Sequence, residues 1–99
     1  MISYIKEYGI SSLDYEFIIK NIDKSILDLL ILNEKKIRDI LSFYNSIGIK
    51  SELSYLIVYR PDLIVIEKDI LEKLVYKNGI KLFLKVVKND VNDLVLIGV

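Results

Sequence analysis

The fold class depends on the last twenty residues, Ile80-Lys-Leu-Phe-Leu-Lys-Val-Val-Lys-Asn-Asp-Val-Asn-Asp-Leu-Val-Leu-Ile-Gly-Val99. In the first half of this stretch, apolar residues recur at both helical and strand spacing, with lysines facing water in either case. The adjacent pair Val86-Val87 favours a strand, because β-branched residues are enriched in sheets. After a turn, Leu94-Val-Leu-Ile97 predicts a second strand beside the first.

A further strand is predicted after Pro61, the only proline in the chain. Proline disfavours a helical conformation in the residue before it, so the preceding element ends at Arg60. The run Leu63-Ile-Val-Ile66 is short, continuous and rich in β-branched residues, as in a strand buried on both faces. The predicted sheet therefore includes residues 62–67, 80–87 and 93–98.

Helices are predicted for the N-terminal two-thirds of the chain. Ser11 and Asp14 match the capping-box pattern at the start of a helix over residues 12–22. The clearest apolar stripe runs from Glu34 to Ile47, and Gly48 is suited to end that helix. The pattern over residues 51–59 favours a helix that ends at Arg60, although residues 55–59 also fit a strand. A further helix capped by Asp69 is predicted to end at Asn78-Gly79, whereas residues 26–32 fit a helix or a strand. The predicted fold is α+β, with a single domain over residues 1–99.

The dipeptide Gly-Ile recurs at residues 9–10, 48–49 and 79–80. Each copy is followed by a polar break and an apolar run, and the breaks are Lys24-Ser25, Pro61-Asp62 and Asn92-Asp93. In these residues the chain resembles the helical repeats of the mitochondrial transcription terminator family. The resemblance implies the alternative fold, an all-α helical-repeat array, and a surface that binds nucleic acid.

The composition excludes several kinds of catalytic site. The chain has no Cys and no His, so it has no thiolate nucleophile, no imidazole base and no ligand of either type for a metal. A metal-dependent hydrolase would have to use carboxylates such as Asp62, Glu67, Asp90 and Asp93. The spacing of Asp62, Glu67 and Lys68 does not match the acid-x-lysine pattern of metal-dependent nucleases. The sequence therefore predicts a non-enzymatic protein with no catalytic, cofactor-binding or metal site.

The overall composition carries another resemblance. The chain is short and rich in Ile, Lys and Tyr, and it lacks Cys, His, Trp, Gln and Thr. In this respect it resembles the small orphan proteins of crenarchaeal filamentous viruses of the lipothrixvirus and rudivirus type. The resemblance implies a thermostable archaeal virus protein that acts in the host cytoplasm.

The predicted function is protein interaction or self-association, as a structural or accessory protein. Hydrophobic residues make up 53% of the chain, and a chain this small can bury surplus apolar surface in an isologous homodimer. The alternative is a nucleic-acid-binding regulatory protein that uses Lys50, Arg60, Lys81, Lys85 and Lys88. No apolar run approaches the roughly 20 residues of a membrane-spanning helix, so an intracellular location without membrane insertion is expected.

Overall fold

The structure, a computed structural model, describes every residue from Met1 to Val99 and contains helices and turns but no strand. The six α-helices are α1 (Ser12–Asn21), α2 (Lys24–Leu32), α3 (Glu34–Ser46), α4 (Leu53–Tyr59), α5 (Lys68–Asn78) and α6 (Ile80–Asn89). Three 3₁₀ segments complete the chain: the N-terminal segment (Ser3–Tyr8), the middle segment (Pro61–Leu63) and the C-terminal segment (Val91–Ile97). The predicted α+β class is therefore wrong, and the all-α class of the alternative is correct.

Residues 62–67 do not form the predicted strand. Pro61 begins a 3₁₀ turn instead, a position where its fixed φ fits and its missing N–H costs nothing. The N–H groups of Ile64 and Val65 donate to the carbonyl of Pro61 at 3.0 and 3.2 Å, so they are satisfied without a neighbouring strand. Leu63 and Ile64 are buried. The apolar run therefore forms an interior turn. The sequence pattern of a short apolar run does not distinguish such a turn from a buried strand.

Residues 80–87 form α6 instead of the predicted strand. The side chains of Phe83 and Val87 lie one helical turn apart and are buried, while Lys81, Lys85 and Lys88 are exposed. The burial of this helical stripe outweighs the strand preference of Val86-Val87, because β-propensity mostly reflects packing in a sheet that this chain lacks.

Residues 93–98 also differ from the prediction, because they belong to the C-terminal 3₁₀ segment. Asp90 caps this segment by accepting a 2.9 Å hydrogen bond from the N–H of Asn92. Gly98, with φ of 79°, ends it. The polar stretch that the sequence predicts as a hairpin turn is therefore the cap of a helical segment.

The chain consists of three consecutive units of similar construction. The first unit comprises residues 3–32, the second residues 34–66 and the third residues 68–97. In each, a helical segment is followed by a glycine, a second helix, a break and a third helical segment. The three glycines, Gly9, Gly48 and Gly79, have φ values of 91°, 97° and 87°, a region that other L-residues rarely adopt. The recurrence of Gly-Ile in the sequence thus marks three positions where the backbone has positive φ between two helical segments.

The units pack against one another in chain order. Asn45 of the second unit donates hydrogen bonds of 2.9 Å to the carbonyls of Tyr8 and Ile49. Lys88 of the third unit donates to Glu52 of the second at 3.2 Å. One continuous core of 23 buried hydrophobic residues runs through all three units. No helix is long and apolar enough to cross a membrane, since the longest, α3, has 13 residues.

The second and third units share several buried positions at an offset of 31 residues. The glycines Gly48 and Gly79 have this separation, and four further pairs with the same separation are buried in both units. These pairs are Ile40 and Leu71, Tyr44 and Val75, Leu56 and Val87, and Leu63 and Leu94. All four pairs belong to the common core.

Candidate interaction surface

The most apolar groove of the molecule lies between α6 and the C-terminal 3₁₀ segment, and we call it the C-terminal groove. It has a volume of about 390 Å³ and is lined by the apolar residues Leu82, Val86, Leu96 and Ile97. Lys85, Asn89 and Asp93 form its polar side. Leu82 and Leu96 expose 42% and 79% of their surface, although leucine is usually buried. The groove is therefore an apolar surface open to solvent.

Two further apolar side chains of the third unit are exposed outside the C-terminal groove. Ile49 and Ile64 of the second unit are 0% and 1% exposed, whereas Ile80 and Val95, 31 positions later, are 37% and 67% exposed. The third unit therefore has more apolar surface in solvent at these positions than the second unit has.

Two opposite charges border the C-terminal groove. Lys85 and Asp93 both line it, yet neither takes part in any of the five ion pairs of the chain. The side-chain amide of Asn89 lies between them in sequence and donates to a carboxylate oxygen of Asp93 at 3.5 Å. Both charges are thus available to a binding partner.

The basic residues predicted to bind nucleic acid are partly engaged within the chain. The guanidinium of Arg60 donates two hydrogen bonds to Asp62, at 3.1 and 3.0 Å, and one of 2.6 Å to the carbonyl of Val99. Lys88 pairs with Glu52. Burial raises the pKa of Glu52, but hydrogen bonds to its carboxylate have a larger effect, so the pKa is lowered overall. These hydrogen bonds come from its own N–H, from Lys88 and from the N–H of Lys50. Lys50, Lys81 and Lys85 have no carboxylate partner within ion-pair distance.

A second surface is formed by two tyrosines on α4. The rings of Tyr55 and Tyr59 are parallel to within 7°, with their centroids 6.4 Å apart. Phe17 of α1 packs edge-on against Tyr55 at 5.8 Å. Both tyrosines are half exposed and border a cavity of about 270 Å³ at the end of α6, whose polar side chains are Lys88, Asn89, Asp90 and Asn92. Flat aromatic faces beside amide groups are suited to stacking and hydrogen bonding with planar rings.

The four carboxylates considered for a metal site are not brought together. Asp62 is bound by Arg60, Glu67 pairs with Lys36 at 2.6 Å, and Asp90 caps the C-terminal segment. No three acidic side chains of the chain lie close enough to hold a metal ion. The fourth, Asp93, lies in the C-terminal groove instead.

The C-terminal groove does not follow from the sequence prediction, because that prediction assigns residues 80–87 and 93–98 to strands. A signal was present in the helical pattern of α6, where Leu82 and Val86 form one apolar stripe and Phe83 and Val87 form another beside it. A helix with two adjacent apolar stripes has more apolar surface than one neighbouring element covers.

Comparison with known proteins adds no assignment to this geometry. No protein-family model, no curated protein and no solved structure matches the chain. The two resemblances drawn from the sequence, to the transcription terminator family and to filamentous virus proteins, therefore stay predictions.

Proposed function

We propose that the protein is a non-enzymatic interaction protein that self-associates through the C-terminal groove. The observation that carries this proposal is the exposure of Leu82 and Leu96 in the apolar lining of the groove. A second copy of the chain is the partner, because it brings an equally exposed apolar groove. Pairing the two grooves removes both from water at once.

The expected strength of association follows from the size of the surface. Complete burial of one leucine or valine side chain contributes about 1.5–3 kcal/mol. Leu82 and Leu96 together can offset part of the roughly 4–15 kcal/mol of translational and rotational freedom lost on association. A typical stable interface buries about 800 Å² on each partner, and the chain exposes 5672 Å² in total. We therefore expect weak self-association that becomes detectable in the upper micromolar range.

Sedimentation velocity and light scattering over a micromolar concentration series test the proposal. The wild-type chain should show a concentration-dependent dimer, and Leu96→Asp should be monomeric because it places a charge in the apolar contact. Leu13→Asp is the matched control, since Leu13 on α1 is 78% exposed and Leu96 is 79% exposed. A wild-type chain that stays monomeric at several hundred micromolar would overturn the proposal. Equal dimerisation of wild type and Leu96→Asp would show that the C-terminal groove is not the contact surface.

A second candidate function is the binding of single-stranded nucleic acid, favoured by the parallel pair Tyr55 and Tyr59 beside Lys88. Stacking of a base on an aromatic side chain contributes about 1–3 kcal/mol. Titration with a short oligonucleotide, followed by tyrosine fluorescence at low salt, tests it. The double variant Tyr55→Leu with Tyr59→Leu should abolish binding. Tyr76→Leu is the control and should bind like wild type, because Tyr76 is also about half exposed, at 55%, but packs against Phe43 instead of the parallel pair. Absence of binding by the wild-type chain would remove this function.

A further inference from the structure

The charges at the C-terminal groove restrict how two copies can pair. Lys85 is exposed on α6, and Asp93 is half-buried in the first turn of the C-terminal 3₁₀ segment. Asn89 lies between them in the sequence, one helical turn after Lys85 and four residues before Asp93. One face of the chain therefore carries a positive and a negative charge beside an apolar surface, and neither charge has an ion-pair partner in its own chain.

A face of this kind is complementary to itself under a two-fold rotation. In an isologous dimer, residue i of one copy contacts residue j of the other, and j contacts i in return. A positive and a negative charge on one face then form two cross-pairs, whereas a face with one sign of charge would repel its own copy. A head-to-tail arrangement would instead set these charges against a different surface of the neighbouring copy.

We infer that the two copies pair about a two-fold axis that sets Lys85 of each copy against Asp93 of the other. This inference rests on the self-association proposed above. The two cross-pairs determine the orientation of the two copies more than the affinity between them. Solvent-exposed ion pairs contribute little to the free energy of association, whereas an orientation that brings like charges together is unfavourable. The apolar side chains supply the affinity, and the charges supply the orientation.

A charge exchange tests the inference through a pattern specific to the two-fold arrangement. Lys85→Glu sets two carboxylates against each other twice in each dimer, and Asp93→Lys sets two lysines together twice. Each variant alone should bind itself at least about tenfold more weakly than wild type. An equimolar mixture of the two should form a heterodimer, because both of its cross-pairs join an acidic side chain of the Lys85→Glu copy to a lysine of the Asp93→Lys copy. The double variant Lys85→Glu with Asp93→Lys should dimerise like wild type, because every cross-pair again joins opposite charges.

Sedimentation velocity measures the dissociation constants, and native mass spectrometry identifies the heterodimer. Lys81→Glu is the matched control, because it changes the net charge and the helix as Lys85→Glu does but lies outside the groove. Its self-association should equal that of wild type. Circular dichroism of each single variant establishes that it is folded, and the double variant tests the pairing even if one single variant is not.

The outcomes separate the two proposals. A monomeric wild-type chain removes the self-association and the two-fold pairing together. A dimeric wild type whose single variants dimerise equally well removes the pairing and leaves the self-association. Weakened single variants that do not recover in the double variant also overturn the pairing. Growth of wild type beyond dimers into an open series would indicate a head-to-tail arrangement and overturn it as well.

Discussion

The hydroxyl group of Tyr44 donates a 2.7 Å hydrogen bond to the carbonyl oxygen of Leu63, and both residues are buried. This bond joins the first helix of the second unit to the turn that follows Pro61. The first unit contains the same arrangement, since Tyr4 donates to the carbonyl oxygen of Leu30 at 2.6 Å. A tyrosine on the first segment thus fixes the third segment in both units, and Val75 occupies the equivalent position in the third.

Replacing Tyr44 by phenylalanine should lower the free energy of unfolding by about 1–3 kcal/mol, because the carbonyl of Leu63 then stays buried without a partner. The change leaves the ring and its packing in place. Urea denaturation followed by circular dichroism measures the effect. Tyr76→Phe is the control, since the side chain of Tyr76 is 55% exposed and its hydroxyl is open to water. Equal stability of Tyr44→Phe and wild type would show that water replaces the lost hydroxyl.

Alkaline pH should destabilise the fold through the buried tyrosines. Burial, followed by the negative charge of Glu34, raises the pKa of Tyr4 from 10.0 to about 12, and burial raises the pKa of Tyr44 as well. The unfolded chain therefore releases these protons at lower pH than the folded chain. The stability linked to both groups is fully present below the unfolded pKa of 10.0 and is lost as pH rises through the folded pKa.

Urea titrations at a series of pH values between about 9 and 12 check this prediction. The double variant Tyr4→Phe with Tyr44→Phe should lose less stability over this range than wild type, because it has no ionisable group at either position. A wild-type stability that is constant over the range, or that rises, contradicts the assignment.

The turns at Gly9 and Gly98 should differ in their tolerance of alanine. Both are in the left-handed region, with φ and ψ of 91° and 16° at Gly9 and of 79° and 20° at Gly98, so either change costs about 1–2 kcal/mol of backbone strain. A Cβ atom at Gly9 would also lie 2.9 Å from the Cβ of Lys50, whereas one at Gly98 would meet no atom within 4 Å. We expect Gly9→Ala to lower the thermal midpoint more than Gly98→Ala, as measured by differential scanning calorimetry. The reverse order would contradict the close approach at Gly9.

The junction of the first two units should depend on Asn45. Its side-chain amide donates to the carbonyls of Tyr8 and Ile49, so Asn45→Ala should leave two partly buried acceptors unpaired and cost about 1–3 kcal/mol. Asn21→Ala is the matched control, because the amide of Asn21 donates only to the carbonyl of Phe17 in its own exposed helix. Hydrogen exchange of residues 3–8 should also accelerate in Asn45→Ala and not in the control.

Two helices of the first two-thirds, α1 and α3, could be predicted because their signals are local, whereas the patterns of α2 and α4 also fit strands. Ser11 accepts a 3.1 Å hydrogen bond from the N–H of Asp14, as its capping pattern predicts. Gly48 ends the predicted helix with positive φ. Residues 80–87 could not be assigned in the same way, since their apolar residues satisfy both spacings. Burial of Phe83 and Val87 by the rest of the chain decides between the two.

The C-terminal groove was beyond sequence prediction for a different reason. Leu94 is fully buried and Leu96, two positions later, is 79% exposed. Nothing in the local pattern distinguishes these two leucines, because their exposure depends on the stacking of the units. The wrong strand assignment placed both in the interior of a sheet. Self-association is a prediction from composition, and composition carries no information about which surface would form the contact.

The packing of the units in chain order affects how the protein folds during synthesis. The second unit contacts the first through Asn45 and Tyr8 and the third through Glu52 and Lys88. Contacts between consecutive units join neighbouring parts of the sequence, and chains rich in such contacts fold quickly. The C-terminal groove is built from α6 and the segment that follows it, so its lining leaves the ribosome after the first two units have done so.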